Sequence, residues 1–412
     1  MARTVPDHVR SSIRTTKAAL RATCDVEARF AEIERHMRSE VDAIRSAEDA
    51  GRSVIPEISY SDIAENRVDP AAVEAVRRRG CVVIRGVFPR AMAESWNREL
   101  GDYLEENDYV ERAKAGAGDD FFDTVSFGNP QIFDIYWSRP QVLARQSESM
   151  AATKRFLNGL WDADAPAGPE FDPSHDLVYA DRIRRRDPGD ATLGLAPHID
   201  TGSFERWVDP AFRAIYADIF GDDWTRFDPW RAAHRTQTRE FESATVCSAF
   251  RTFQGWTALT TQGPRTGTLR LLPIANSIAH VLLRSLQPDV PDDELLLAAP
   301  GQVLGADERS HPTLMDGMVS IPEVAPGDTV WWHPDVIHGV EDAHEGAEQA
   351  NVMYIAATPW CAKNLMYARQ QAAHFLDGRS SPDFRPQDFE VDFRGRATAD
   401  DLTELGRAQM AL

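Results

Sequence analysis

Cysteine, basic charge and long apolar runs are all scarce in this chain. Its 412 residues hold four cysteines, Cys24, Cys81, Cys247 and Cys361. None has a CxxC or Cys/His finger spacing, so a zinc finger or disulfide framework is excluded. A reducing, cytoplasmic compartment is the expectation. Lys and Arg total 45 against 65 Asp and Glu, a formal net charge of −20. So acidic a surface repels a phosphate backbone, which argues against nucleic acid as a partner. No uncharged apolar stretch approaches the roughly 20 residues of a membrane helix. The most apolar neighbourhood, 269–283, is broken by Arg270, Pro273, Asn276 and His280. The N-terminal residues are rich in Arg and Ser and lack the apolar core of a signal peptide. They read as a helical arm.

What is present is ordinary globular composition, 42% hydrophobic and 27% charged. Phe30, Ile33, Met37, Val41 and Ile44 form one apolar stripe at helical spacing, with Asp25 as N-cap and Gly51 as stop. The stripe packs on the chain's own core or, alternatively, pairs copies into a homo-oligomer. Asp69-Pro70 opens a second helix that Gly80 ends. CVVIRGV at 81–87 reads as a buried strand, and Met92, Trp96, Leu100 and Leu104 mark the helix after it. A loop is expected at 116–120. From residue 177 the texture turns to short β-rich runs: LVYADRI, TVCSAF, GWTALTT, GTLRLLP, DTVWWH and ANVMYIAAT. Such spacing, with no regular helices between, predicts an antiparallel barrel or sandwich, an α+β chain with a β-rich core. An insertion at 201–243 interrupts it.

Two segments carry chemistry. In His198-Ile199-Asp200, residues i and i+2 of a strand aim an imidazole and a carboxylate at one point. In PGDTVWWHPDVIHGV, 326–340, a strand, a tight Pro334-Asp335 turn and His338 follow one another. His198, Asp200 and His338 together make a two-His, one-carboxylate facial triad, the donor set of non-haem Fe(II) oxygenases. It leaves three positions for a bidentate 2-oxo acid and O2. His333, earlier in the same segment, is the alternative ligand. The remaining histidines have no partner at ligand spacing.

These segments resemble the Fe(II)/2-oxoglutarate-dependent oxygenases of the phytanoyl-CoA-dioxygenase-like branch. RRRGCVVIRGVF (77–88), PHID (197–200), GWTALTTQGPRTGTLRLLP (255–273) and the 326–340 segment occur in that family's order. The resemblance implies a double-stranded β-helix, a jelly-roll, cupin-like barrel with N-terminal and inserted helices. The expected division is a helical arm at 1–60 and an oxygenase domain at 61–412. The family places the distal ligand after the turn, favouring His338 over His333. Trp256 and Thr260 match hairpin positions lining the cosubstrate site. The family also carries an Arg or Lys roughly ten to fifteen residues after the distal His, pairing with the far carboxylate of 2-oxoglutarate. Here 339–362 contains neither. Arg270, Arg251 and Arg184 are the candidate anchors, with Asn351 and Gln349 as neutral substitutes. Strand parity argues against Arg270, because Leu269 and Leu271 should face inward. Thr201, Phe204, Arg206 and Trp207, directly after Asp200, are expected to meet a small polar or anionic substrate as part of a lid. Asp200 fills the site a halide takes in related halogenases, so hydroxylation or desaturation is expected. The alternatives are a different metalloenzyme on a cupin-like barrel, a hydrolase or isomerase, or a non-catalytic small-molecule-binding barrel.

Overall fold

The computed structural model describes residues 6–115, 130–166, 168–191, 196–243 and 246–412. The loop expected at 116–120 lies outside them. Helix α1 (Asp7–Arg21) and helix α2 (Val26–Asp49) form the N-terminal arm. The Asp25 side chain caps α2, accepting from the Ala28 amide at 3.0 Å. Ile33, Met37, Val41 and Ile44 are buried against helices Ile278–Arg284 and Pro312–Asp316. The stripe is therefore spent inside the chain. Lys17 of α1 is buried too, donating to the carbonyls of Val290, Pro291 and Glu294, so the arm packs into the body. The Asp69-capped helix Pro70–Arg79 and the helix Arg90–Glu106 form where the periodicity placed them. Met92 differs from its stripe and stays 44% exposed. No helix among the described residues is long and apolar enough to cross a membrane.

Thirteen strands are described: β1 (Glu57–Ser59), β2 (Cys81–Arg85), β3 (Ile132–Phe133), β4 (Asp172–Leu177), β5 (Ile183–Arg186), β6 (His198–Ile199), β7 (Phe253–Ala258), β8 (Leu269–Leu271), β9 (Leu304–Gly305), β10 (Val319–Ser320), β11 (Thr329–Trp332), β12 (His338–Val340) and β13 (Ala350–Trp360). The larger sheet runs β1-β2-β11-β7-β13-β5-β3, with β4 also on β13. The smaller runs β10-β8-β12-β6-β9. Every pairing is antiparallel except β1 with β2. The fold is mixed helix and sheet, and the inner faces of both sheets share one apolar core. Trp256, Val330 and Val352 of the larger sheet belong to it, as do Ile199, Leu271 and Leu304 of the smaller. Gly255 is required where β7 passes β11, since a Cβ there would lie 2.4 Å from the Trp331 ring.

Two readings need correction. LVYADRI is the end of β4, a non-strand stretch and the start of β5. The described part of TVCSAF forms no strand, because side chains satisfy its backbone: Ser248 N donates to Asp383 and Phe250 N to Asn364. The short strands β1, β3, β9 and β10 carry too few residues to show a period.

The 201–243 insertion folds as short helical turns whose Trp207, Trp224 and Trp230 are all buried. Its polar pivot is Asp335, fully buried in the turn between β11 and β12. Asp335 accepts from Arg206 Nη1 at 2.7 Å, Arg235 Nη2 at 2.9 Å and Tyr216 Oη at 2.8 Å. Burial alone would raise its pKa, but the two guanidiniums hold the carboxyl well below the usual range. Replacing Asp335 by Asn should leave two buried cations poorly matched and cost about 3–5 kcal/mol of folding stability. Equilibrium urea unfolding of Asp335→Asn against the parent measures it; a loss under about 1 kcal/mol would contradict this account.

Candidate metal centre

β6 and β12 are neighbours in the smaller sheet, and His198 is the direct cross-strand partner of His338. Asp200 follows β6, on the same side as His198. The two imidazole rings have centroids 4.4 Å apart. His198 Nε2 lies 3.2 Å from Asp200 Oδ1, and His338 Nε2 3.7 Å from Asp200 Oδ2. Among the described residues this is the one cluster of His, Cys, Asp or Glu side chains whose ligand atoms all lie within 4.8 Å of one another.

The outer contacts fix which nitrogens face inward. His198 Nδ1 is 2.6 Å from the Ala196 carbonyl, and His338 Nδ1 is 3.2 Å from that of Val336. A carbonyl can only accept, so both Nδ1 atoms carry the proton and both Nε2 atoms present lone pairs. Two lone pairs and a carboxylate then converge on one point, which is repulsive unless a cation sits between them. Without a metal a proton takes that place. Burial by itself would lower the His198 pKa, but its hydrogen bond to Asp200 and that residue's charge carry it above the ordinary value. His338 is pushed down to about 4 by burial, with the neighbouring His198 adding to the effect. Asp200 is held far below the ordinary carboxylate range: burial opposes this, but His198, His338 and Arg251 outweigh it. The donor chemistry fits a divalent first-row metal held by nitrogen and carboxylate.

The supporting shell comes from the larger sheet and from the chain after Asp200. Gln254 of β7 donates its amide to Asp200 Oδ2, and Trp332 of β11 packs its ring 5.0 Å from His338. Directly after Asp200 the chain turns away through Thr201 and Gly202, both at positive φ (60° and 80°). A Cβ on Gly202 would lie 2.5 Å from the Phe212 ring. Arg206 fastens this turn by donating to the carbonyls of Asp200, Thr201 and Gly202. Arg206 and Trp207 are thus not at a pocket mouth. Arg206 is 2% exposed and fully engaged with protein acceptors, and Trp207 is buried with its indole N–H on the Leu282 carbonyl. Phe204 is buried beside them. Thr201 stays half-buried, its hydroxyl accepting from Arg251.

His333 is a packing residue. Its ring stacks on Trp161 at 4.7 Å, Nε2 donates to the Pro229 carbonyl, and Nδ1 accepts from the Asp335 amide. Burial pushes its pKa down to about 3, and it has no nitrogen left for a metal.

The candidate cosubstrate residues separate by strand parity. Arg270 points outward, donating to the Met318 carbonyl, while Leu269 and Leu271 on either side are buried. Asn351 faces away from the centre, its amide on Asn97 and Gln349. Gln349 itself bonds Asp187 and Arg185. The Thr260 hydroxyl accepts from the Asn351 backbone N–H. Trp256 lies on the inner face of β7, in register with Val330 and Tyr354. Arg184 lies on the inner face of β5 as the cross-strand partner of Val352. It is 5% exposed, its hydrogen bonds to Gly267 O and Gln131 Oε1 are both 3.4 Å long, and its Nε has no acceptor. No carboxylate among the described residues forms an ion pair with it. Burial lowers its pKa, and Tyr354 and Asp190 offset that only in part. Sequence reasoning missed Gln254 and Tyr354, which no local motif marks.

Residues 7–412 match the Gig2-like family. The chain belongs to that family. It is 43% identical over 412 residues to the uncharacterised Escherichia coli K12 protein YbiU, spanning 99% of this chain and 98% of that one. A Salmonella typhimurium LT2 structure, described as a candidate oxidoreductase, is 43% identical with a TM-score of 0.94 and 99% of each chain covered. The Candida albicans product of GlcNAc inducible gene 2 is 28% identical, with a TM-score of 0.74 over 98% of this chain and 86% of that one.

The assignment of ligands yields a direct test. His338→Ala should lower the affinity for a divalent first-row metal by at least tenfold in anaerobic equilibrium dialysis, because it removes one of three donors. His333→Ala should lose stability but keep the parent affinity. The reverse pattern would move the metal to His333.

Proposed function

We propose that this member of the Gig2-like family is a non-haem Fe(II)- and 2-oxoglutarate-dependent oxygenase on a double-stranded β-helix, hydroxylating or desaturating a small molecule. The observation that carries the reading is the convergence of two Nε2 lone pairs and the Asp200 carboxylate, with both Nδ1 atoms occupied elsewhere. This donor set is built to hold one cation and leave one face of it open.

Iron with 2-oxoglutarate supplies oxidising power: O2 is consumed, the 2-oxo acid leaves as succinate and CO2, and the substrate gains a hydroxyl or loses two hydrogens. The chain's own part is placement. His198, Asp200 and His338 hold the iron. Gln254 and Arg206 keep Asp200 from rotating, through its Oδ2 and its carbonyl respectively. Trp256 and Trp332 wall the site with apolar surface and exclude water.

Arg184 is the anchor for the cosubstrate's far carboxylate. In the oxygenases that the sequence motifs resemble, the usual cation lies ten to fifteen residues beyond the distal histidine; here Val352 stands fourteen residues beyond His338. Arg184 is that residue's partner across the β5–β13 ladder. The cation has moved one strand sideways while facing the same interior. A buried guanidinium with only long, neutral contacts gains most from a carboxylate, and Tyr354, in register with Trp256 on the inner face, would add a hydroxyl donor.

Purified protein given Fe(II), ascorbate and 2-oxoglutarate should release succinate slowly even without substrate, and His198→Ala should abolish this. Arg184→Ala should raise the apparent KM for 2-oxoglutarate roughly tenfold to a hundredfold, the value of about 1.5–3 kcal/mol for a charged hydrogen-bonded contact. No succinate from the parent protein would refute the oxygenase reading. A normal KM in Arg184→Ala would refute the anchor alone.

A further inference from the structure

We propose that Arg251 is a substrate-binding residue and that it reads a carboxylate, so the substrate is a small carboxylic acid. This rests on the oxygenase reading above and specifies its substrate class.

Arg251 precedes β7 and is 7% exposed. Its Nη2 donates to the Thr201 hydroxyl at 3.1 Å and stands 3.8 Å from Asp200 Oδ2. Its guanidinium carbon lies 5.5 Å from the centre of the Tyr179 ring, which is itself stacked on Tyr367 at 5.2 Å and held through its hydroxyl by Asp383. The guanidinium is thus fixed in orientation by a ring and a hydroxyl, not by a close carboxylate. Its Nε is buried without an acceptor. Asp200 is the one acid within ion-pair distance among the described residues, and at 3.8 Å it makes no hydrogen bond.

Charge matching then separates the two interior arginines. A metal in the triad commits the single charge of Asp200. 2-Oxoglutarate brings two charges, one to the metal and one to Arg184. Its far carboxylate sits three carbon–carbon bonds beyond the keto carbon, reaching away from the metal, whereas Arg251 borders a metal ligand directly. With metal and cosubstrate in place, Arg251 is left as a buried cation with no counter-charge, an arrangement that costs several kcal/mol unless an anion arrives. The position beside Asp200 and the half-buried Thr201 puts that anion next to the residues that would hold the metal. A planar guanidinium near a ring face presents a fork that suits a carboxylate. The cation also lies inside a protein of net charge −20, so it is a local attraction within a surface that otherwise repels anions, which favours a small ligand over an acidic macromolecule.

The test uses the whole protein, loaded anaerobically with Fe(II) and 2-oxoglutarate so that nothing turns over. The visible charge-transfer absorption of that complex is recorded while two- to six-carbon monocarboxylates are added, each beside its uncharged amide. At least one acid should shift the band saturably and its amide should not. Arg251→Gln should raise the apparent Kd for that acid at least tenfold, Arg251→Lys should recover part of the loss, and Arg184→Gln should instead weaken 2-oxoglutarate itself. If Arg251→Gln weakens 2-oxoglutarate as much as Arg184→Gln does, if amides act as well as acids, or if no acid shifts the band, the substrate assignment is overturned while the oxygenase reading stands. If the parent protein forms no such band with Fe(II) and 2-oxoglutarate, the oxygenase reading itself fails. Should Arg251→Gln not fold, the acid–amide contrast in the parent and the Arg251→Lys titration still decide.

Discussion

One buried carboxylate, Asp335, holds the two halves of the candidate metal centre in register. It sits in the turn that delivers His338 and binds Arg206, and Arg206 in turn grips the carbonyl of Asp200. The two ligand-bearing segments lie far apart in sequence, so nothing local could set their spacing. A charge network does so, with Arg235 and Tyr216 filling the remaining positions around the carboxylate. Removing water from these groups is costly, and the geometry compensates because both carboxylate oxygens are engaged. The 201–243 insertion, which supplies Arg206, Tyr216 and Arg235, is thereby a brace for the ligand loop more than a cover over it.

The interior around the triad is short of negative charge. Arg184 and Arg251 are both nine-tenths buried or more, and neither has a close carboxylate partner among the described residues. Other buried cations have more close acceptors: Lys17 has three carbonyls and Arg186 four, and Lys154 pairs with Asp176 at 2.9 Å.

The triad was legible in the sequence because each half is a local pattern. An HxD on a strand needs only the two-residue period, and the distal histidine announces itself by the turn before it. The helical arm was legible for the same reason, through the stripe from Ile33 to Ile44. Which of the three candidate arginines lies opposite Val352 was not, since that depends on which strand pairs with which. Parity alone turns Arg270 and Asn351 away from the centre, but only the β5–β13 ladder shows Arg184 standing opposite Val352. Arg206 misled for a related reason: its charge suggested a ligand, while its partner Asp335 lies 129 residues away. TVCSAF failed because β-propensity does not count side chains from Asp383 and Asn364 that take over the backbone hydrogen bonds.

The cross-strand pairing of His198 with His338 has a thermodynamic side. β6 is two residues long and β12 three, too short to be firmly joined by ladder hydrogen bonds alone. An ion bound to both histidines is a cross-link between neighbouring strands, and it binds the folded chain far better than the unfolded one. Metal affinity and folding are then coupled, so the melting temperature of the protein becomes a function of free metal concentration. The smaller sheet, with its edges on β9 and β10, is the part whose local opening the ion would suppress first.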